Sequence, residues 1–80
     1  MTEHELKTWP SFFGAIMRGI KKFEIRKDDR GFALGDILHL REWDPDTDKY
    51  TGAGTWVVVT YIVRACPGLE PGYVIMGVGY

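Results

Sequence analysis

Apolar residues recur along this chain with two different periods. Trp9, Phe13, Ile16, Met17 and Ile20 fall on one helical face. Thr8-Trp9-Pro10-Ser11 supplies a helix start, because proline at the first helical position loses only an N–H that would be unpaired there anyway. Gly19 supplies the stop, since it enters the left-handed conformation without a Cβ clash. Elsewhere the period is two, as in a strand. His4–Thr8 is a short first strand. In Lys22–Lys27, Phe23 and Ile25 share one face, expected to be the core face, and Lys22, Glu24 and Arg26 share the other. Ile37–Trp43 places Leu38 and Leu40 on one side, with His39, Arg41 and Trp43 opposite. Thr55–Val63 is β-rich and apolar on both faces, the pattern of a central strand, and Tyr73–Val78 makes the last one.

The connections carry turn chemistry. Asp28-Asp29-Arg30-Gly31 and Gly35-Asp36 are turns, Phe32-Ala33-Leu34 links them, and Pro67-Gly68 and Pro71-Gly72 punctuate a loop from Arg64 to Gly72. Asp44-Pro45-Asp46-Thr47-Asp48 has acids at alternate positions but fails as an EF-hand, which needs Gly at its sixth position and Glu at its twelfth. Lys49 and Thr55 stand there, so this is a polar hairpin loop, with Gly52-Ala53-Gly54 starting the return strand. The expected architecture is an α+β domain of five strands with one main helix between the first two. One helix cannot cover a whole sheet, so the sheet is expected to curl into a small barrel that hides its edges. Phe23, Ile25, Leu38, Leu40, Val57, Val59 and Ile75 are its expected core.

Eighty residues allow one domain, residues 1–80, and one modest core. With 45% hydrophobic and 26% charged residues the chain is globular rather than disordered. The net charge of −1 is unevenly spread. Arg18, Lys21, Lys22, Arg26, Lys27 and Arg30 outweigh Glu24, Asp28 and Asp29, so the segment between Arg18 and Arg30 carries +3 and the remainder −4. Such a patch permits nucleic-acid contact without demanding it. Cys66 is the only cysteine, which leaves no intrachain disulfide, no four-cysteine zinc site, and a fit to a reducing compartment. No apolar run reaches the ~20 residues of a membrane span. Met1-Thr2-Glu3-His4-Glu5 lacks the basic start and apolar stretch of a secretory signal, so a cytoplasmic location is expected. No metal or cofactor is expected.

The chemistry concentrates in Gly19–Arg26. An ammonium, a carboxylate and a guanidinium within a few residues can grip an anion or hydrogen-bond a base edge; they can equally form a solvated charged face. The His39–Arg41–Trp43 row has the same two readings, as a stacking platform or as cross-strand packing. The helical apolar stripe is core, with Trp9 the exception because it stands at the helix start.

Spelled G-x-K-x-x-E-x-R, the segment Gly19–Arg26 resembles the signature of the ASCH domains, members of the PUA-like superfamily of RNA-binding pseudobarrels. The order of strand, helix ending in Gly, K-x-x-E-x-R strand and Gly35-Asp36 turn extends that resemblance over nearly the whole chain. It looks like a short stand-alone ASCH-related domain of bacterial or phage type. The resemblance implies a five-stranded PUA-like β-pseudobarrel whose cleft between helix and barrel takes RNA or a nucleotide, with Lys21, Glu24 and Arg26 in that cleft. Lys22, Lys7, Trp9 and Arg30 complete the candidate nucleic-acid contacts. One branch of the family resembles an amidohydrolase for acylated cytidine, with a Lys, a Thr nucleophile two residues before the motif Arg, and a distant Glu. Lys21 and Arg26 match it, but Glu24 holds the nucleophile position and the later helix that carries the distant Glu has no counterpart here. Ribonuclease activity is associated with other relatives. Three readings therefore stand: a binding module for RNA or a nucleotide, a small enzyme on RNA or a modified nucleoside, and a protein-interaction domain. For the enzyme, Lys21 and Glu24 must converge, which requires a sharp bend at Lys22. Otherwise Glu24 is held by Arg26 or Lys21 and serves to orient them.

Overall fold

In the computed structural model, which describes residues 1–80, the chain runs β1 (Glu3–Thr8), α1 (Pro10–Met17), β2 (Phe23–Lys27), β3 (Ile37–Asp44), β4 (Lys49–Val63) and β5 (Tyr73–Gly79). The helix starts where expected, with Trp9 extended before Pro10. Its end is a complete Schellman motif. Gly19 is left-handed at φ +73°, its N–H donates to the Ile16 carbonyl at 3.0 Å, and the Ile20 N–H donates to the Ala15 carbonyl at 3.1 Å. Only Phe13 and Ile16 of the apolar stripe are buried; Trp9 is exposed at the helix start, Met17 at its last residue and Ile20 beyond its end.

The five strands form one curled sheet, a half-barrel, in the order β1-β3-β4-β5-β2. β1 runs parallel to β3, and the other neighbours are antiparallel. β4 is central as its composition suggests; Gly52–Gly54 belong to it as expected, and it begins earlier, at Lys49, because Lys49 and Tyr50 pair with Asp44 and Trp43 of β3. The hairpin before it is tight, with the Asp46 N–H donating to Asp44 Oδ1 at 2.9 Å. The core is Leu6, Ile16, Phe32, Leu38, Leu40, Val57, Val59, Val74, Met76 and Val78. Four of the seven expected core residues belong to it: Leu38, Leu40, Val57 and Val59.

The other three do not, and the reason is register. Glu24 pairs with Met76 and Arg26 with Val74, and both β5 residues point inward, so the polar row of β2 points inward as well. Phe23 and Ile25 are 45% and 52% exposed, whereas Glu24 is 3% exposed. Ile75, opposite Ile25, shares that outer face and is half-buried. Parity along β2 is thus the reverse of the expected one. An apolar pair can lie outward because no second layer covers the convex face, where Trp56, Val58 and Tyr61 of β4 are also exposed. β4 is therefore buried on one face, not two.

The sheet has two free edges, β1 and β2, and no backbone ladder joins them. Arginines cross the seam instead. Arg26 Nη2 donates to the Lys7 carbonyl at 3.0 Å and Arg30 Nη1 to the Glu5 carbonyl at 2.6 Å. A buried pair fastens the start of β1, with His4 Nε2 2.9 Å from Asp36 Oδ2 and the Thr2 and Ala33 N–H groups donating to the same carboxylate. Those three hydrogen bonds, that from His4 foremost, hold the Asp36 carboxyl below its ordinary range.

Candidate functional site

The Schellman turn sets the first residue of the site. Both Ile20 and Lys21 donate their N–H groups to the Ala15 carbonyl, which delivers the Lys21 side chain back over the start of β2. Its Nζ donates to the Phe23 carbonyl at 2.7 Å and to Glu24 Oε1 at 2.8 Å. Arg26, one inward position further along β2, donates Nε to Glu24 Oε2 at 3.2 Å. Its Nη2 lies 3.5 Å from Thr8 Oγ1 as it reaches the β1 carbonyl. The result is a continuous chain of contacts, Lys21–Glu24–Arg26–Thr8, running from the helix end to the opposite sheet edge. Glu24 is held by both of its expected partners, one on each oxygen.

Above this floor lies an open cleft of about 400 Å³. Trp9 and Phe12 stand on one side, their ring centroids 6.4 Å apart and their planes within 15°. Phe23 and Ile25 stand on the other. The Lys21 ammonium lies 5.0 Å from the centre of the Phe23 ring and 5.7 Å from that of Phe12. Lys21 and Arg26 meet a single carboxylate, so the floor of the cleft carries a net positive charge of one on a molecule that is nearly neutral, while Lys7 lines the cleft with its ammonium over Trp43. Burying Glu24 is tolerable because two cations compensate it.

Five of the seven candidate residues line this cleft: Lys7, Trp9, Lys21, Glu24 and Arg26. Lys22 is exposed and lines an adjoining cavity instead. Arg30 lies outside, bridging to β1 beside Asp29. Sequence reasoning missed Thr8, Phe12, Phe23 and Ile25. Thr8 was accessible through the alternation His4, Leu6, Thr8, which all point inward. Phe12 stands three residues after Trp9, one step off the buried stripe, a spacing that places the two rings side by side. Phe23 and Ile25 were hidden by the inverted parity.

The His39–Arg41–Trp43 row is occupied by cross-strand packing. His39 lies flat on Trp56, its register partner, at 4.2 Å; Arg41 covers Tyr50 at 3.8 Å; and Lys7 sits 4.7 Å over Trp43. Glu5 Oε1 accepts from Arg41 at 2.8 Å, and that hydrogen bond lowers the Glu5 carboxyl pKa and raises that of the Arg41 guanidinium. The cleft is the larger concavity and the one where polar and aromatic groups converge.

Residues 3–78, from the first strand to the last, match the family model described as "Domain of unknown function (DUF3850)". The chain belongs to this DUF3850 family. The matched span contains every residue of the cleft. The chain is also similar to the "Uncharacterized 12.9 kDa protein in GpA 3'region" of Escherichia phage P2, at 42% identity over 40 residues. That alignment covers 50% of this chain and 37% of the phage protein. No helix is long and apolar enough to cross a membrane.

Proposed function

We propose that this DUF3850 domain is a binding module for RNA or a nucleotide, with a base held in the cleft between α1 and the β1–β2 seam. The observation that carries this reading is the buried Glu24 carboxylate, clamped between Lys21 and Arg26 beneath the exposed rings of Trp9, Phe12 and Phe23. Each group has a use for a nucleotide. Aromatic faces stack on any base. A carboxylate has about four acceptor sites, so Glu24 retains capacity for a base amino group while Lys21 and Arg26 hold it in place. The excess of positive charge suits a phosphate. The resemblance of Gly19–Arg26 to the ASCH signature supports the same reading, as does a half-barrel compatible with a PUA-like pseudobarrel. A free Cys66 suits a cytoplasmic setting.

Tryptophan fluorescence tests this directly. Trp9 borders the cleft, whereas Trp43 and Trp56 lie on the outer face and act as internal references. Short single-stranded RNA or ribonucleotides should change the emission and lose that effect in Trp9→Phe. Lys21→Ala should weaken binding by about 1–3 kcal/mol without unfolding the domain. Affinity should fall as salt rises, with a shallow slope because few cations are involved. Absence of binding to every RNA and nucleotide tried defeats the proposal.

One observation favours a second reading. Lys21 Nζ and Glu24 Oε1 lie 2.8 Å apart, close enough for both to reach one reacting atom of a substrate in the cleft, as a proton-transfer pair in an amidohydrolase or ribonuclease must. Against it, both carboxylate oxygens already accept hydrogen bonds from cations, the arrangement of a fixed anchor rather than a mobile base. Purified protein should therefore leave RNA and N4-acylated cytidine intact. Turnover that disappears in Glu24→Gln and in Lys21→Ala would put the enzyme reading first.

A further inference from the structure

Beside the main cleft is a second cavity, of about 250 Å³, and the two share one residue, Lys21. Its floor is apolar, made by Ile16, Val57 and Val78. Its rim is Lys22 and Tyr80. Lys21, which lines both, forms the partition between the cavities, and the next residue is pinned to β5 by the Val78 N–H, which donates to the Lys22 carbonyl at 3.0 Å. Lys21 turns into the first cavity, toward Glu24, while Lys22 borders the second.

Lys22 differs from Lys21 in one decisive respect. Lys21 is paired with Glu24, whereas Lys22 is exposed and takes part in no ion pair. A cation next to the partition, on the side of the second cavity and with no anion of the protein's own, is placed for a group that reaches across from the first cavity. Tyr80 is 76% exposed, yet its hydroxyl is tethered, donating to Met17 Sδ at 3.7 Å and accepting from Thr55 Oγ1 at 3.4 Å. A tethered, exposed ring over an apolar floor is a second stacking surface.

Building on the nucleotide reading of the main cleft, we propose that the ligand is a single-stranded segment of at least two nucleotides. The first base occupies the main cleft, the linking phosphate crosses the partition beside Lys22, and the second base enters the cavity beneath Tyr80. The site thereby selects a polynucleotide chain over a free nucleotide. A duplex is excluded, since two successive bases must part to either side of the partition.

The test compares affinities of the intact domain for ribodinucleotides, for the component ribonucleoside monophosphates, and for dinucleotides whose second residue lacks a base. The best dinucleotide should bind at least tenfold more tightly than either monophosphate, and removing its second base should cancel most of that advantage. In Lys22→Ala and in Tyr80→Ala the ratio of dinucleotide to mononucleotide affinity should shrink to about threefold or less. In Trp9→Ala both ligands should weaken together, so that the ratio survives. Both Lys22 and Tyr80 are exposed, and circular dichroism checks that the variants fold. Equal affinity for dinucleotide and monophosphate, or full affinity for the dinucleotide lacking its second base, overturns the two-base site while the one-base reading stands. Failure of every ligand to bind overturns both.

Discussion

Along β3, β4 and β5 the inward residues are apolar but for Thr55, namely Leu38, Leu40, Val57, Val59, Val74, Met76 and Val78; at the seam between β1 and β2, beyond Leu6, they are Thr8, Glu24 and Arg26. Both sets occupy the same concave side of one sheet. They differ in what lies across from them. The central strands complete their hydrogen-bond ladders with neighbours on both sides, so their inward side chains have only to exclude water. The edge strands lack a partner across the seam, and Arg26 and Arg30 supply to β1 carbonyls the donors that a neighbouring strand would have given. Where a small sheet stops short of closure, polar side chains finish the structure and leave a cleft. The same residues that close the half-barrel are therefore the ones available to a ligand.

The comparison can be broken most forcefully on its apolar side. Leu38→Ala or Leu40→Ala, at fully buried positions, should cost about 2–5 kcal/mol through lost burial and a residual cavity. Urea titration of an 80-residue domain should register this as a large fraction of total stability. A loss below 1 kcal/mol would mean that the interior is far less tightly packed than it looks.

On the polar side the effect should be smaller and should depend on chemistry rather than volume. Glu24→Ala leaves Lys21 and Arg26 facing each other and should cost about 1–3 kcal/mol. Glu24→Gln preserves shape and an acceptor, and should fold better while still weakening any ligand that needs the carboxylate. Denaturation curves for the pair separate the two effects. If Glu24→Ala proves as stable as the parent, the seam is not held by this chain of contacts.

The least perturbing probe is acid. Asp36 has a folded pKa below its ordinary 3.8, so its contribution is complete above that value. As pH falls below it, the unfolded chain takes up the proton first, and the stabilisation is lost progressively toward the lower folded pKa. Stability against pH should therefore drop in that acid window, and Asp36→Asn should flatten the drop. A parent and variant with parallel acid limbs would show that the Asp36–His4 contact does not fasten β1.

Much of this molecule is local, and local structure is written in local sequence. Pro10 and Gly19 bound the helix because each restricts or frees one backbone angle. The alternation in Ile37–Trp43 places Leu38 and Leu40 inside, and Asp44-Pro45-Asp46 turns the chain through a side-chain acceptor of its own. The proximity of Lys21, Glu24 and Arg26 follows from a turn and a strand eight residues long in all. What only the tertiary structure decided is which way β2 faces. A strand with Phe23 and Ile25 on one side and Glu24 and Arg26 on the other has two possible parities, and hydrophobicity alone favours the wrong one. Pairing with the inward residues Val74 and Met76 selects the other, at a seam where the concave side must supply hydrogen bonds as well as apolar contact. Lys7 and Thr8, some eighteen residues earlier in the chain, join Arg26 only because the sheet curls. No pattern within either strand encodes that meeting, since it depends on the order of all five.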